Sequence, residues 1–149
     1  MATLVTQVSE SLVLHGKEEG SIKTTSFSDI NEVFRRTVTI KADSDPHTIV
    51  VFASDPDELT AYKLDVDNIK YIRITNLSIN IVGLILNGAT TACAYSLGAG
   101  KSMSFNNTLI QGDSTTGNIN AVPSEVMSNI EIEGVTTSTS DIELFIASS

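Results

Sequence analysis

A chain of 149 residues, 41% of them hydrophobic, is long enough for one domain with its own core and too apolar to be disordered throughout. Its formal net charge of −9 repels phosphate backbones and anionic bilayers, which argues against a nucleic-acid binder and against docking on membranes. With one cysteine, Cys93, it can form no intrachain disulfide.

Residues 1–10 suit a short arm, with Thr3–Gln7 alternating weakly as a first strand. Met1–Ser11 lacks the basic stretch and apolar run of a secretory leader, and no segment approaches the roughly 20 apolar residues of a membrane span. The chain is therefore expected to be soluble and made in a cytoplasm. Ser11–His15 reads as a short strand, and Gly16–Gly20 as a turn framed by glycines. Ser21–Phe27 alternates, with Ile22 and Phe27 as core contacts, and Ser28-Asp29 is a turn.

Ile30–Ile40 carries Val33, Phe34, Val38 and Ile40. Arg35 and Arg36 are adjacent and cannot both point outward on a regular strand, so either a bulge lies there or one arginine enters an interface or salt bridge. A helix over Asp29–Arg36, capped by Asp29 with Glu32 three residues on, competes. Strand is preferred because Thr37-Val38-Thr39-Ile40 follows without a break.

Lys41–His47 is a loop, Thr48–Phe52 an apolar strand, Ala53–Glu58 an acidic loop with Pro56, Leu59–Leu64 short and ambiguous, and Asp65–Asn68 a turn. Lys70–Phe105 is the centre, a β-meander. Ile72 and Ile74 alternate with Tyr71, Arg73 and Thr75, the period-2 pattern of a strand with one buried face. Asn76-Leu77-Ser78 is a turn, Ile79–Leu86 a run of branched apolar residues, and Asn87-Gly88 a two-residue hairpin signal. After the mixed segment Ala89–Leu97, Gly98–Gly100 connects tightly to Lys101–Phe105, where Met103 and Phe105 share a face. Asn106–Asn120 reads as a long functional or interface loop interrupted by Leu109-Ile110. Ile130–Gly134 alternates, Gly134–Ser140 turns, and Asp141–Ile146 is the last strand.

About nine or ten strands at spacings near 8–12 residues, with no amphipathic helix, predict an all-β, single-domain β-sandwich over 1–149, jelly-roll-like. Ile79–Leu86 and Ile49–Phe52 hold more apolar area than half-exposed strands need, enough to cover a second face against another subunit.

No catalytic, cofactor-binding or metal site is assigned. A cupin-type metal site needs two or three imidazoles with a carboxylate, and only His15 and His47 exist, each in or beside a turn. They are also the only bases for a Cys93 thiolate, which is expected instead to be a small buried side chain. No Gly-x-Ser-x-Gly elbow is present. Gly98-Ala-Gly-Lys-Ser102 resembles the end of a phosphate loop, but Tyr95 stands where the first glycine is required. Asp65-Val-Asp67-Asn68 and the group Asp55, Asp57 and Glu58 carry calcium-type oxygens without EF-hand spacing, and read as solvated turns. Aromatic residues total 5% and Trp is absent, which weakens glycosidase and lectin readings.

Four stretches, Leu14-His-Gly-Lys17 through Gly20, Asn31-Glu-Val-Phe-Arg-Arg36, Tyr71-Ile-Arg-Ile-Thr-Asn-Leu77 and Gly98-Ala-Gly-Lys-Ser-Met-Ser-Phe105, resemble small virion structural proteins of marine tailed bacteriophages. After Asn76 this chain has only Ser78-Ile79-Asn80 where that family has a longer polar insert. The resemblance implies a β-rich, non-enzymatic virion component, made in the host bacterial cytoplasm. It implies capsid decoration or cement, or a place in the tail, and supplies no catalytic residue. The expected partners are other copies, as a homotrimer, and the major capsid protein. The alternative is a tail- or fibre-associated module that recognises host glycans, with calcium at an acidic loop.

Overall fold

The computed structural model describes residues 1–42, 47–53, 63–65, 69–87, 92–106, 117–123 and 138–149. Their regular structure is all strand: β1 (Ala2–Ser9), β2 (Val13–Leu14), β3 (Lys17–Glu18), β4 (Ile22–Ile30), β5 (Glu32–Ile40), β6 (His47–Ala53), β7 (Lys63–Asp65), β8 (Ile69–Asn76), β9 (Val82–Asn87), β10 (Ala92–Leu97), β11 (Ser102–Asn106), β12 (Gly117–Pro123) and β13 (Ser140–Ser148). None of the described helices is long and apolar enough to cross a membrane, because there is none.

The alternation in β8 and β13 builds the centre of a β-sandwich. A four-stranded sheet runs β11-β8-β13-β5, and β13 pairs antiparallel with β8 on one side and with β5 on the other. Ile142, Leu144 and Ile146 point to one side of β13 and are fully buried beside Ile72 and Ile74 of β8. They face a five-stranded sheet, β10-β9-β12-β6-β7, which contributes Val82, Leu84, Leu97, Ile49 and Val50 to the same core. Burying each such side chain contributes roughly 1.5–3 kcal/mol. Ile49 and Val50 are adjacent, yet both are buried. The register between β12 and β6 slips there, Ile119 facing Val50 and Asn120 facing Thr48, so Ile49 is the extra residue of a bulge. Ile49 and Val50, two of the four residues of the apolar run Ile49–Phe52, thus go into the molecule's own core.

The first thirty residues form a separate element. Pairing runs without a slip from Leu4 opposite Phe27 to Ser9 opposite Ile22, and on to Leu14 opposite Lys17. Glu10 N–H donates to Ser21 O and Glu19 N–H to Leu12 O between the paired segments. The result is one continuous two-stranded ribbon, roughly 40 Å long at about 3.4 Å per residue. Its two-residue turn is His15-Gly16, both at positive φ (52° and 78°).

Several expectations change. The expected arm of residues 1–10 is one strand of this ribbon. The glycine-framed turn shrinks to His15-Gly16, and Gly20 sits within the ladder, where a Cβ would collide with the Glu10 carbonyl oxygen. Ile22 is exposed, not core. Ser28-Asp29 is a bulge rather than a turn: two residues of β4 oppose Thr3 alone, with Asp29 at φ 61°, so Phe27 and Ile30 are both buried. No helix forms over Asp29–Arg36, and no bulge separates Arg35 from Arg36. Arg35 lies on the outer face of the four-stranded sheet and pairs with Glu143, while Arg36 is exposed because β5 is the sheet's edge strand. Asn87 pairs with Ala92 and so belongs to the ladder rather than to a turn with Gly88; residues 88–91 lie outside the described residues. The apolar run Ile79–Leu86 divides: Val82 and Leu84 are core, Ile79 and Ile81 are exposed. Part of the expected loop Asn106–Asn120 is strand β12; Leu109-Ile110 and Ile130–Gly134 lie outside the described residues.

Candidate interaction surface

Among the described residues the outer face of the four-stranded sheet is covered at one end. There the base of the ribbon packs Leu4, Phe27 and Ile30 over Tyr71, Ala147 and Phe145. The rings of Phe27 and Tyr71 lie 5.7 Å apart, and Tyr71 meets Phe145 edge-on at 6.1 Å. Arg73 crosses the Phe145 ring at 5.3 Å. Next along the face, Glu143 accepts from Arg35 Nε (2.9 Å) and Nη2 (2.6 Å), and from Arg73 Nη2 (2.7 Å). The Arg35 hydrogen bond holds its carboxyl below the ordinary glutamate range; burial opposes this and Arg73 adds to it. Thr39 donates to Asp141 and Thr75 pairs with Ser102 beyond them, so this end of the face is polar, with Arg73 Nε buried and without a hydrogen-bond partner among the described residues.

Past its base the ribbon is uncovered. Residues 7–24 are all exposed, and they include Val8, Leu12, Val13, Leu14 and Ile22. The unbroken register places Val8, Leu12 and Leu14 on the face that carries Leu4 and Phe27, interleaved there with Thr6 and Glu10 and opposite Lys23, Glu19 and Lys17, so beyond its seat on Tyr71 this exposed face mixes apolar and charged side chains. An isolated two-stranded ribbon is marginal in water, because one layer buries nothing.

A second exposed apolar group lies at the opposite end of β8. Leu77, Ile79 (92% exposed) and Ile81 project from the connection between β8 and β9, with Tyr95 of β10 also exposed. The connection is not loose. Asn76 is fully buried; its Nδ2 donates to the carbonyls of Asn80, Leu97 and Gly98, and its Oδ1 accepts from Ser78 N–H and Oγ. Leu77 N–H donates to Asp141 O. One buried amide thus presents three apolar side chains to solvent.

The sequence candidates do not converge. His15 is exposed at the ribbon tip, and His47 opens β6. Gly98–Ser102 turns into strand β11, with Gly100 at φ 64°, and no helix follows to receive a phosphate. Cys93 pairs with Leu86 in the β10–β9 ladder, its side chain outside the described set. Asp55, Asp57, Glu58, Asp67 and Asn68 lie outside the described residues, and Asp65 ends β7. Among the described residues no three His, Cys, Asp or Glu side chains gather to hold a metal ion. A cleft of about 60 Å³ between Phe34, Leu64 and Ile146 is far below the roughly 300–1,000 Å³ of a ligand pocket. Sequence reading flagged the apolar excess of Ile79–Leu86, of which Ile79 and Ile81 are exposed, but missed the exposed ribbon. The signal for the ribbon was present in Leu12-Val13-Leu14 beside His15-Gly16, an apolar run at a hairpin tip whose returning strand is Lys17-Glu18-Glu19.

Neither a family model, nor a curated protein, nor a solved structure matches this chain.

Proposed function

We propose that the chain is a non-enzymatic structural protein of a tailed-phage virion, a capsid decoration or cement protein that assembles with copies of itself as a homotrimer and binds the major capsid protein. The observation that carries this reading is the ribbon: eighteen consecutive exposed residues bearing five large apolar side chains. A monomer gains nothing from such an element, whereas an assembling protein buries it. The four stretches similar to phage virion proteins agree, since two of them hold the ribbon tip and the strand that leads into the Asn76 connection. The described chain crosses between the two sheets six times, which suits the jelly-roll-like architecture this reading expects. Binding to assembled shell sites and not to free subunits stabilises the particle by mass action.

Mass spectrometry of purified phage particles, beside size-exclusion chromatography of the isolated protein, tests the proposal. The chain is expected in the particles at stoichiometric copy number and as an oligomer alone. A monomer absent from particles contradicts it, and a signal confined to separated tails moves it to the tail.

A further inference from the structure

We propose that the distal ribbon, residues 7–24, is an independently opening unit: its two strands part and re-pair while the sandwich and the base of the ribbon stay folded. This opening belongs to the single copy and holds whether or not copies assemble.

The boundary is set by what lies across the ladder. Phe27 and Ile30 are buried on Tyr71 and Ala147, with Leu4 packed beside them. Asn31 N–H donates to Ser148 O (3.0 Å), which ties the root of the ribbon to β13. Thr6 and Thr25 are half-buried opposite each other, and the Thr6 hydroxyl donates to the Thr25 carbonyl at 3.4 Å. Every residue from Gln7 to Thr24 is exposed. Opening them uncovers none of the sandwich core, so it costs only what the ribbon itself gains by pairing.

That gain is small. A two-stranded ribbon with no layer across it is marginal in water. Among the described residues, the side-chain links within 7–24 are Lys17 with Glu19 (2.9 Å) and Ser21 Oγ with Glu10 (2.7 Å), both at the surface, where such pairs contribute little. Lys17 and Glu19 stand on the same strand, so only the Ser21–Glu10 bond crosses the ladder. At the turn, His15 at φ 52° holds a position that asparagine fills more readily. Against these stands the conformational entropy of fixing eighteen backbones. An opened ribbon presents no ordered surface, so this equilibrium also sets the fraction of copies that offer one.

Hydrogen exchange read by mass spectrometry tests this on the full-length chain, at a dilution where light scattering gives the mass of one copy. Peptides within 7–24 are expected to exchange at least about a hundredfold faster than those of β8 and β13, and still slower than unstructured chain. Two substitutions should move the ribbon alone. Gly20→Ala sets a Cβ against the Glu10 carbonyl oxygen and should speed exchange there. His15→Asn supplies the favoured Asn-Gly turn and should slow it. Both should leave β8, β13 and the unfolding midpoint unchanged. Ribbon peptides as slow as those of β8 and β13 overturn the inference, because the ribbon would then open only with the whole molecule. So does exchange at the unstructured rate throughout 7–24, since no ribbon would exist to open, and so does a Gly20→Ala chain whose β8 and β13 peptides speed up with the ribbon. Absence of the protein from virions leaves the exchange pattern intact, so the two readings fail separately.

Discussion

At the scale of single residues, Asn76 and Glu143 hold opposite ends of the argument. Asn76 satisfies three carbonyls and one turn from a site without solvent. Asn76→Ala strands those groups and is expected to cost about 2–3 kcal/mol in chemical denaturation. Asn76→Asp should cost more at neutral pH, because a carboxylate accepts only and would face carbonyl oxygens, and the excess should shrink in acid as it protonates. Glu143 works through charge. Its carboxyl is depressed in the folded state, so its stabilisation is complete above the ordinary value of 4.5 and is lost as pH falls through the lower folded value. Wild-type protein should exceed Glu143→Gln by on the order of 1 kcal/mol at pH 7, since both arginines are substantially exposed, and the two should converge on acidification below 4.5. A pH-independent difference contradicts the assignment. The sequence showed that Arg35 and Arg36 needed separate explanations, but not that Glu143, 108 residues away, would supply one.

At the scale of elements, alternation was the readable signal and coverage was not. Ile72 and Ile74 announced their common face by period 2 and Asp141–Ile146 read as the last strand, and the structure buries Ile72, Ile74, Ile142, Leu144 and Ile146. Leu144 touches both neighbouring strands of its sheet by register, so Leu144→Ala should cost about 2–5 kcal/mol in thermal or denaturant unfolding. The same alternation in Ser21–Phe27 put Ile22 and Phe27 alike inside, and only Phe27 is. What decides between them is the layer that lies across, and nothing local encodes it. The bulges at Ile49 and Asp29 were equally invisible, because each depends on the partner strand's register. The two-residue turn formed at His15-Gly16, one residue ahead of the glycine-framed turn read over Gly16–Gly20, while Asn87 of the Asn87-Gly88 signal pairs with Ala92 in the ladder. Ribbon and sandwich make separable contributions. Replacing Val8, Leu12 and Leu14 together by Ser should abolish self-association and make the midpoint of unfolding independent of protein concentration, whereas the midpoint of the unaltered chain rises with concentration. A variant midpoint well below that of the unaltered chain at its most dilute would show that the ribbon belongs to the fold and not to an interface.

At the scale of the whole molecule, the charge of −9 and the exposed apolar ribbon pull in opposite directions. Self-repulsion keeps copies apart in dilute solution, and an apolar contact brings them together where the surfaces match. Salt therefore has a defined effect: screening removes long-range repulsion and leaves apolar burial intact, so added salt should strengthen the oligomer. The exposed edge of β5 does not offer a competing route, because Arg36 in its middle sets like charges together when two such edges pair. The most direct measurement is multi-angle light scattering of the purified full-length chain in moderate salt at micromolar concentration. The account predicts a mass equal to three copies of the 15.9 kDa chain, reduced to one copy by the triple ribbon substitution. A single-copy mass for the unaltered protein under the same conditions contradicts it.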